Sequence, residues 1–94
     1  MRVRAVFIQE FYKVMGAFQV DMELEDGSTI RDLIEKLDSQ VYRGFKDLIL
    51  EGEELRHPVE IAVNGRRIDF LEGLDTRLRD GDRVLFSPRA LFVV

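Results

Sequence analysis

The chain has 94 residues, enough for one domain and not for two. It carries no cysteine and one histidine, His57, which excludes disulfides, iron–sulfur clusters, thiolate zinc sites and a cysteine nucleophile. Fourteen basic against eighteen acidic residues give a net charge of −4, spread evenly along the chain, which argues against a nucleic acid or an anionic membrane as partner.

The longest apolar run, Ala90–Val94, is far below the roughly 18 residues that span a bilayer, and Ala5–Ile8 is too short for a signal-peptide core. The expectation is a soluble cytoplasmic domain over residues 1–94, with 89–94 as a C-terminal tail. Residues 2–8 read as a strand with Val3, Ala5 and Phe7 on one face. Residues 17–24 alternate, with Phe18, Val20, Met22 and Leu24 opposite Gln19, Asp21 and Glu23, as in a half-buried strand. Between them, Gln9–Gly16 predicts a loop with a helical turn.

Asp26-Gly27 is a turn signal, and Ser28 or Thr29 can cap a following helix. Ile30, Leu33, Ile34, Leu37 and Val41 form one apolar stripe on a helix ending before Gly44. A short helical piece fits residues 45–50, and the acidic stretch Glu51–Leu55 reads as a solvated loop. Val59, Ile61 and Val63 alternate as a third strand. Asn64-Gly65 is a strong hairpin signal, with a short return strand over 67–70. Asp80-Gly81 turns into a last strand over 83–87, with Val84 and Phe86 facing in and Pro88 ending regular pairing. One helix packed across one mixed sheet buries these faces economically, an α+β fold.

That order, with Val3–Phe7, Asp26-Gly27-Ser28-Thr29, Leu33–Leu37, Ile61-Ala62-Val63-Asn64-Gly65-Arg66, Leu74-Asp75-Thr76, Leu78, Asp80-Gly81-Asp82, Val84, Phe86 and Pro88, resembles the MoaD/ThiS sulfur-carrier family over residues 2–88. The resemblance implies a ubiquitin-like β-grasp fold, a five-stranded mixed sheet of order 2-1-5-3-4 with first and last strands parallel. It also implies a protein partner of the adenylating or molybdopterin-synthase type. In that family a C-terminal Gly-Gly is adenylated and converted to a thiocarboxylate, which donates sulfur to a molybdopterin or thiamin precursor.

The chain departs from the pattern there. After Pro88 it reads Arg89-Ala90-Leu91-Phe92-Val93-Val94, and its seven glycines, at 16, 27, 44, 52, 65, 73 and 81, include no adjacent pair. Glycine has no Cβ and threads a narrow channel with free dihedrals; Phe and β-branched residues do not. The reading is therefore a non-catalytic protein-interaction module related to sulfur carriers, with no enzyme activity and no cofactor. Its alternative is a sulfur-carrier subunit whose native C-terminus is a different one.

No catalytic constellation stands out. His57 reads as a surface-loop histidine, Asn64-Gly65-Arg66-Arg67 as a hairpin turn with solvated arginines, and Glu51, Glu53 and Glu54 as an acidic loop lacking rigid ligand geometry. If Val3, Ala5, Phe7, Val84 and Phe86 face the helix, strand alternation turns Val6, Ile8, Leu85 and Ala62 outward, flanked by Arg4, Glu60 and Arg83. This apolar patch, together with Leu91, Phe92, Val93 and Val94, is the candidate partner-binding surface. The four tail residues either fold over the patch or pair with a neighbouring chain, and self-association is the expectation.

Overall fold

The computed structural model describes residues 1–89. Asn64 and Gly65 both take positive φ (51° and 86°), the requirement of the type I′ turn that matches strand twist. This turn joins β5 (Glu60–Val63) to β6 (Arg66–Arg67). The other strands are β1 (Arg2–Phe7), β2 (Gln19–Glu23), β3 (Leu50–Glu51), β4 (Glu54–Leu55) and β7 (Arg83–Ser87). The main sheet runs β2-β1-β7-β5-β6, with β1 and β7 parallel and the other neighbours antiparallel. With β3 and β4 set aside in their own two-stranded sheet, this is the 2-1-5-3-4 order the resemblance implied.

Helix α2 (Ile30–Gln40) starts at a capping box. Thr29 Oγ1 accepts the Asp32 N–H (3.3 Å), and the Asp32 carboxylate accepts the Thr29 N–H (2.9 Å). The segment after the 3₁₀ turn Gly73–Asp75 pins that start: Ile30 N–H donates to Thr76 C=O (3.1 Å) and Leu78 N–H to Ser28 C=O (2.8 Å). The buried stripe is Ile30, Leu33, Ile34 and Leu37, all 0% exposed, packed against Val3, Ala5, Phe7, Val84 and Phe86 in one core. Two shorter helices complete it. Helix α1 (Glu10–Met15) contributes Phe11 and Met15, and α3 (Phe45–Ile49) contributes Phe45 and Ile49.

Four expectations need correction. Val41 is not core: it is the C-cap of α2, 37% exposed, because the helix ends at Gln40 and the chain turns away toward Gly44. Residues 51–55 are not an irregular loop, since Leu50–Glu51 and Glu54–Leu55 pair as a hairpin across Gly52. The return strand is only Arg66–Arg67, with Ile68–Phe70 coiling into a 3₁₀ turn that buries Ile68. Phe18 lies ahead of β2 and is 64% exposed, stacked on Tyr12 with centroids 4.0 Å apart.

Candidate partner-binding face

Alternation along the strands leaves one face of the sheet away from α2. Register assembles its centre. Val6 pairs with Leu85 across the parallel β1–β7 contact, Leu85 with Ala62 across β7–β5, and Ala62 with Arg67 across β5–β6. On the other side Val6 pairs with Gln19 of the edge strand β2. The result is one cross-strand row, Gln19–Val6–Leu85–Ala62–Arg67, apolar in the middle and polar at both ends.

A charged row borders it. Arg4 lies between Asp21 and Arg83 in the register. Arg4 Nε donates to Asp21 Oδ1 (2.9 Å), and this hydrogen bond lowers the Asp21 carboxyl below its ordinary value and raises the Arg4 guanidinium. Arg2 Nε and Glu23 Oε1 repeat the pairing at 3.0 Å. The Arg83 side chain makes no ion pair among the described residues, although its backbone N–H is held by Asn64 Oδ1 (2.9 Å). An exposed cation therefore stands beside Leu85 and Ala62.

The opposite border is Ser87, which pairs with Glu60, and Ile8, whose N–H donates to Phe86 C=O (3.3 Å). Glu60 lies 3.5 Å from Arg67 Nε. The loop at the charged end is rigidly tied: Asp80 Oδ1 accepts the Arg2 N–H (2.7 Å), Gly81 N–H donates to Arg2 C=O (2.8 Å), and Asp82 accepts Asn64 Nδ2 (2.9 Å). The Asp80-Gly81-Asp82 motif thus fastens β7's entry to β1 and to the β5–β6 turn.

The structure brings four of the eight expected residues onto this face, with unequal access. Leu85 and Ile8 are half-buried, whereas Val6 is 8% and Ala62 2% exposed. Leu91, Phe92, Val93 and Val94 lie outside the described residues. Sequence reading missed Ser87, buried on the outward side of β7, and the exposed Tyr12–Phe18 and Arg67–Phe70 pairs. Alternation from Leu85 would have marked Ser87; nothing local marks the two aromatic contacts. Among the described residues no cluster of histidine and carboxylate side chains could hold a metal, and His57 is exposed in its loop. No helix among them is long and apolar enough to cross a membrane.

A single long helix across a mixed sheet whose first and last strands run parallel at its centre defines a ubiquitin-like β-grasp protein. Comparison with known proteins gives the family. The ThiS family model matches residues 6–88, and the chain belongs to that family. It is 30% identical over 88 residues to small archaeal modifier protein 3 of Haloferax volcanii, covering 94% of this chain and 95% of that one. It is 32% identical over 71 residues to a candidate sulfur carrier protein of Archaeoglobus fulgidus, covering 74% of this chain and 81% of that one. The solution structure of the Haloferax volcanii HVO 2177 protein superposes with a TM-score of 0.83 at 28% identity, covering 98% of this chain and 87% of that one.

Proposed function

We propose that this chain is a non-catalytic protein-interaction module of the ThiS family that docks a protein partner through the outer face of β1, β7 and β5. The observation that carries this reading is the juxtaposition at Leu85. A half-buried apolar side chain at the middle of the sheet stands next to Arg83, a cation with no ion-pair partner among the described residues. An apolar anchor gives affinity when desolvated, and an unpaired charge beside it gives orientation. The matching partner presents an apolar side chain flanked by a carboxylate. An adenylating or molybdopterin-synthase-type protein is the class that the family resemblance supports.

The second reading is a sulfur carrier, favoured by the family match and by the Archaeoglobus relative. Within the 94 residues no two glycines adjoin, and the last, Gly81, precedes β7. Intact-mass measurement after incubation of the 94-residue chain with ATP, a sulfur donor and the cognate adenylating enzyme separates the two. The interaction reading expects an unchanged mass together with complex formation that Arg83→Glu weakens. A mass shift of one oxygen-to-sulfur exchange decides for the carrier.

A further inference from the structure

Among the described residues β2 is an edge strand, paired with β1 on one side only. The phase of that pairing decides which backbone groups it leaves open. Phe7 N–H donates to Phe18 C=O and Leu24 N–H to Met1 C=O, both at 2.8 Å. In an antiparallel ladder every second residue turns its N–H and C=O to the same neighbour, so Phe18, Val20, Met22 and Leu24 bond to β1. Gln19, Asp21 and Glu23 turn theirs to the open edge. One end of that edge is closed from within the chain, where Lys36 Nζ of α2 donates to Glu23 C=O (2.7 Å). The other end, at Gln19 and Asp21, has no such cover among the described residues. The stacked rings of Phe18 and Tyr12, both exposed, stand at its entry.

We infer that the open edge of β2 takes up an extended segment of a partner protein in which apolar residues alternate with Lys or Arg. Backbone pairing supplies the affinity of such an added strand, and the side chains on its two faces supply the selectivity. On the outer face the edge shows Gln19, Asp21 and Glu23, all exposed. Arg4 and Arg2 stand opposite Asp21 and Glu23 on the β1 side. An added strand places a second residue opposite each carboxylate from the free side, where a cation is favourable and a like charge is not. On the other face Phe18 falls in step with Val20 and Met22, and its 64% exposed ring is the surface that an apolar residue of the added strand covers. A second copy of this chain fits poorly. Antiparallel pairing of two β2 edges centred on Asp21 sets that carboxylate against its own copy and leaves Glu23 opposite Gln19, with no cation in the seam. Charges on an edge strand keep identical chains apart. These same charges attract a basic strand. The inference does not rest on docking through the outer face, because it uses the backbone edge of β2 and not the row at Leu85.

NMR titration of the full chain tests it, with a peptide of about eight residues, a long strand, alternating valine with lysine, and a counterpart alternating valine with glutamate. The lysine peptide should shift the Gln19 and Asp21 amides, slow their hydrogen exchange, and leave Ala62 and Leu85 in place. The glutamate peptide should do neither. Asp21→Lys and Phe18→Ser should each raise the half-saturating peptide concentration several-fold. Gln19→Pro removes one outward N–H, keeps every charge and spares the bonds to β1, so it separates strand pairing from simple charge attraction, and it should abolish the slowed exchange at Asp21. Arg83→Glu, which probes the outer-face docking, should leave the peptide shifts unchanged. The inference is overturned if millimolar lysine peptide shifts no β2 amide, if Gln19→Pro binds it as the parent does, or if the shifts fall on Ala62 and Leu85 instead. It is equally overturned if the Gln19 and Asp21 amides are already protected without peptide in a manner lost on dilution, the mark of a second copy.

Discussion

Phe7 and Phe86 lie side by side on the parallel strands β1 and β7, ring centroids 5.6 Å apart at 22°, and Phe45 stands edge-on to both at 80°. The two strands come from opposite ends of the sequence, so their stacking joins the ends of the fold. Phe45 comes from α3, a helix of only five residues that contributes little as a helix and much as a carrier of this ring. Edge-to-face geometry sets the positive ring edge against the negative faces.

Phe45→Ala should therefore destabilise by roughly 3–5 kcal/mol, through lost burial and the cavity left beside the Phe7 and Phe86 rings. Denaturant unfolding checks it. A cost below about 1 kcal/mol would mean that α3 is dispensable to the core.

Asp38 ties α3 to α2. One of its oxygens, Oδ1, accepts the N–H groups of Gly44 (2.9 Å) and Lys46 (3.0 Å), and these bonds lower its carboxyl below the ordinary value. With the folded-state pKa depressed, this contribution is fully present above the unfolded value of about 3.9 and is lost as pH falls through the folded one. Asp38→Ala should lower the unfolding midpoint at neutral pH, and the gap to the parent should close on acidification below about pH 4. Amide exchange at Gly44 and Lys46 should quicken in the variant. A gap that stays constant to low pH would show that the charge of Asp38 does not act.

Asn64 holds φ 51° while its amide bridges two elements, donating to Asp82 Oδ1 and accepting the Arg83 N–H, both at 2.9 Å. Asn64→Ala loses both bonds and places a Cβ residue without local compensation in the left-handed region, at a cost of roughly 1–3 kcal/mol. Asn64→Gly loses the bonds alone and should be the milder change. Thermal unfolding of the pair decides it; equal losses would assign the whole effect to the hydrogen bonds.

The legible parts of this sequence are those where one local rule acts alone. Asn64-Gly65 and Asp26-Gly27 turn where expected, Thr29 caps α2, and alternation places Val3, Ala5, Phe7, Val84 and Phe86 inward. The outward row was legible for the same reason, since alternation that turns Phe7 in must turn Val6 out. Its burial was not, because alternation fixes the direction of a side chain and says nothing of what lies above it. The hairpin at residues 50–55 escaped because Glu51, Glu53 and Glu54 have little β-propensity, and pairing there follows from a two-residue turn at Gly52. Phe18 escaped because its partner, Tyr12, comes from a helix one turn past β1.

Val41 offers the sharpest contrast between pattern and structure. It lies four residues after Leu37, and both continue the i, i+3, i+4 stripe that begins at Ile30. In the structure Leu37 is 0% exposed and Val41 is 37% exposed. The difference arises where the helix stops. The Val41 N–H donates to Leu37 C=O as an i→i−4 bond and the Tyr42 N–H donates to the same oxygen as a wider i→i−5 bond, both at 3.0 Å, which closes the helix there, and Gly44 at φ 111° swings the chain into α3. Phe45, 0% exposed, then enters the core from α3. Leu37→Ala should cost roughly 2–5 kcal/mol, as a cavity against the sheet, and Leu33→Ala the same. Val41→Ala should stay within about 0.5 kcal/mol, as an exposed substitution does. Denaturant unfolding of the three variants at matched m-values makes the comparison. A Val41 cost approaching that of Leu37 would restore Val41 to the core and extend the packed face of α2 by a turn.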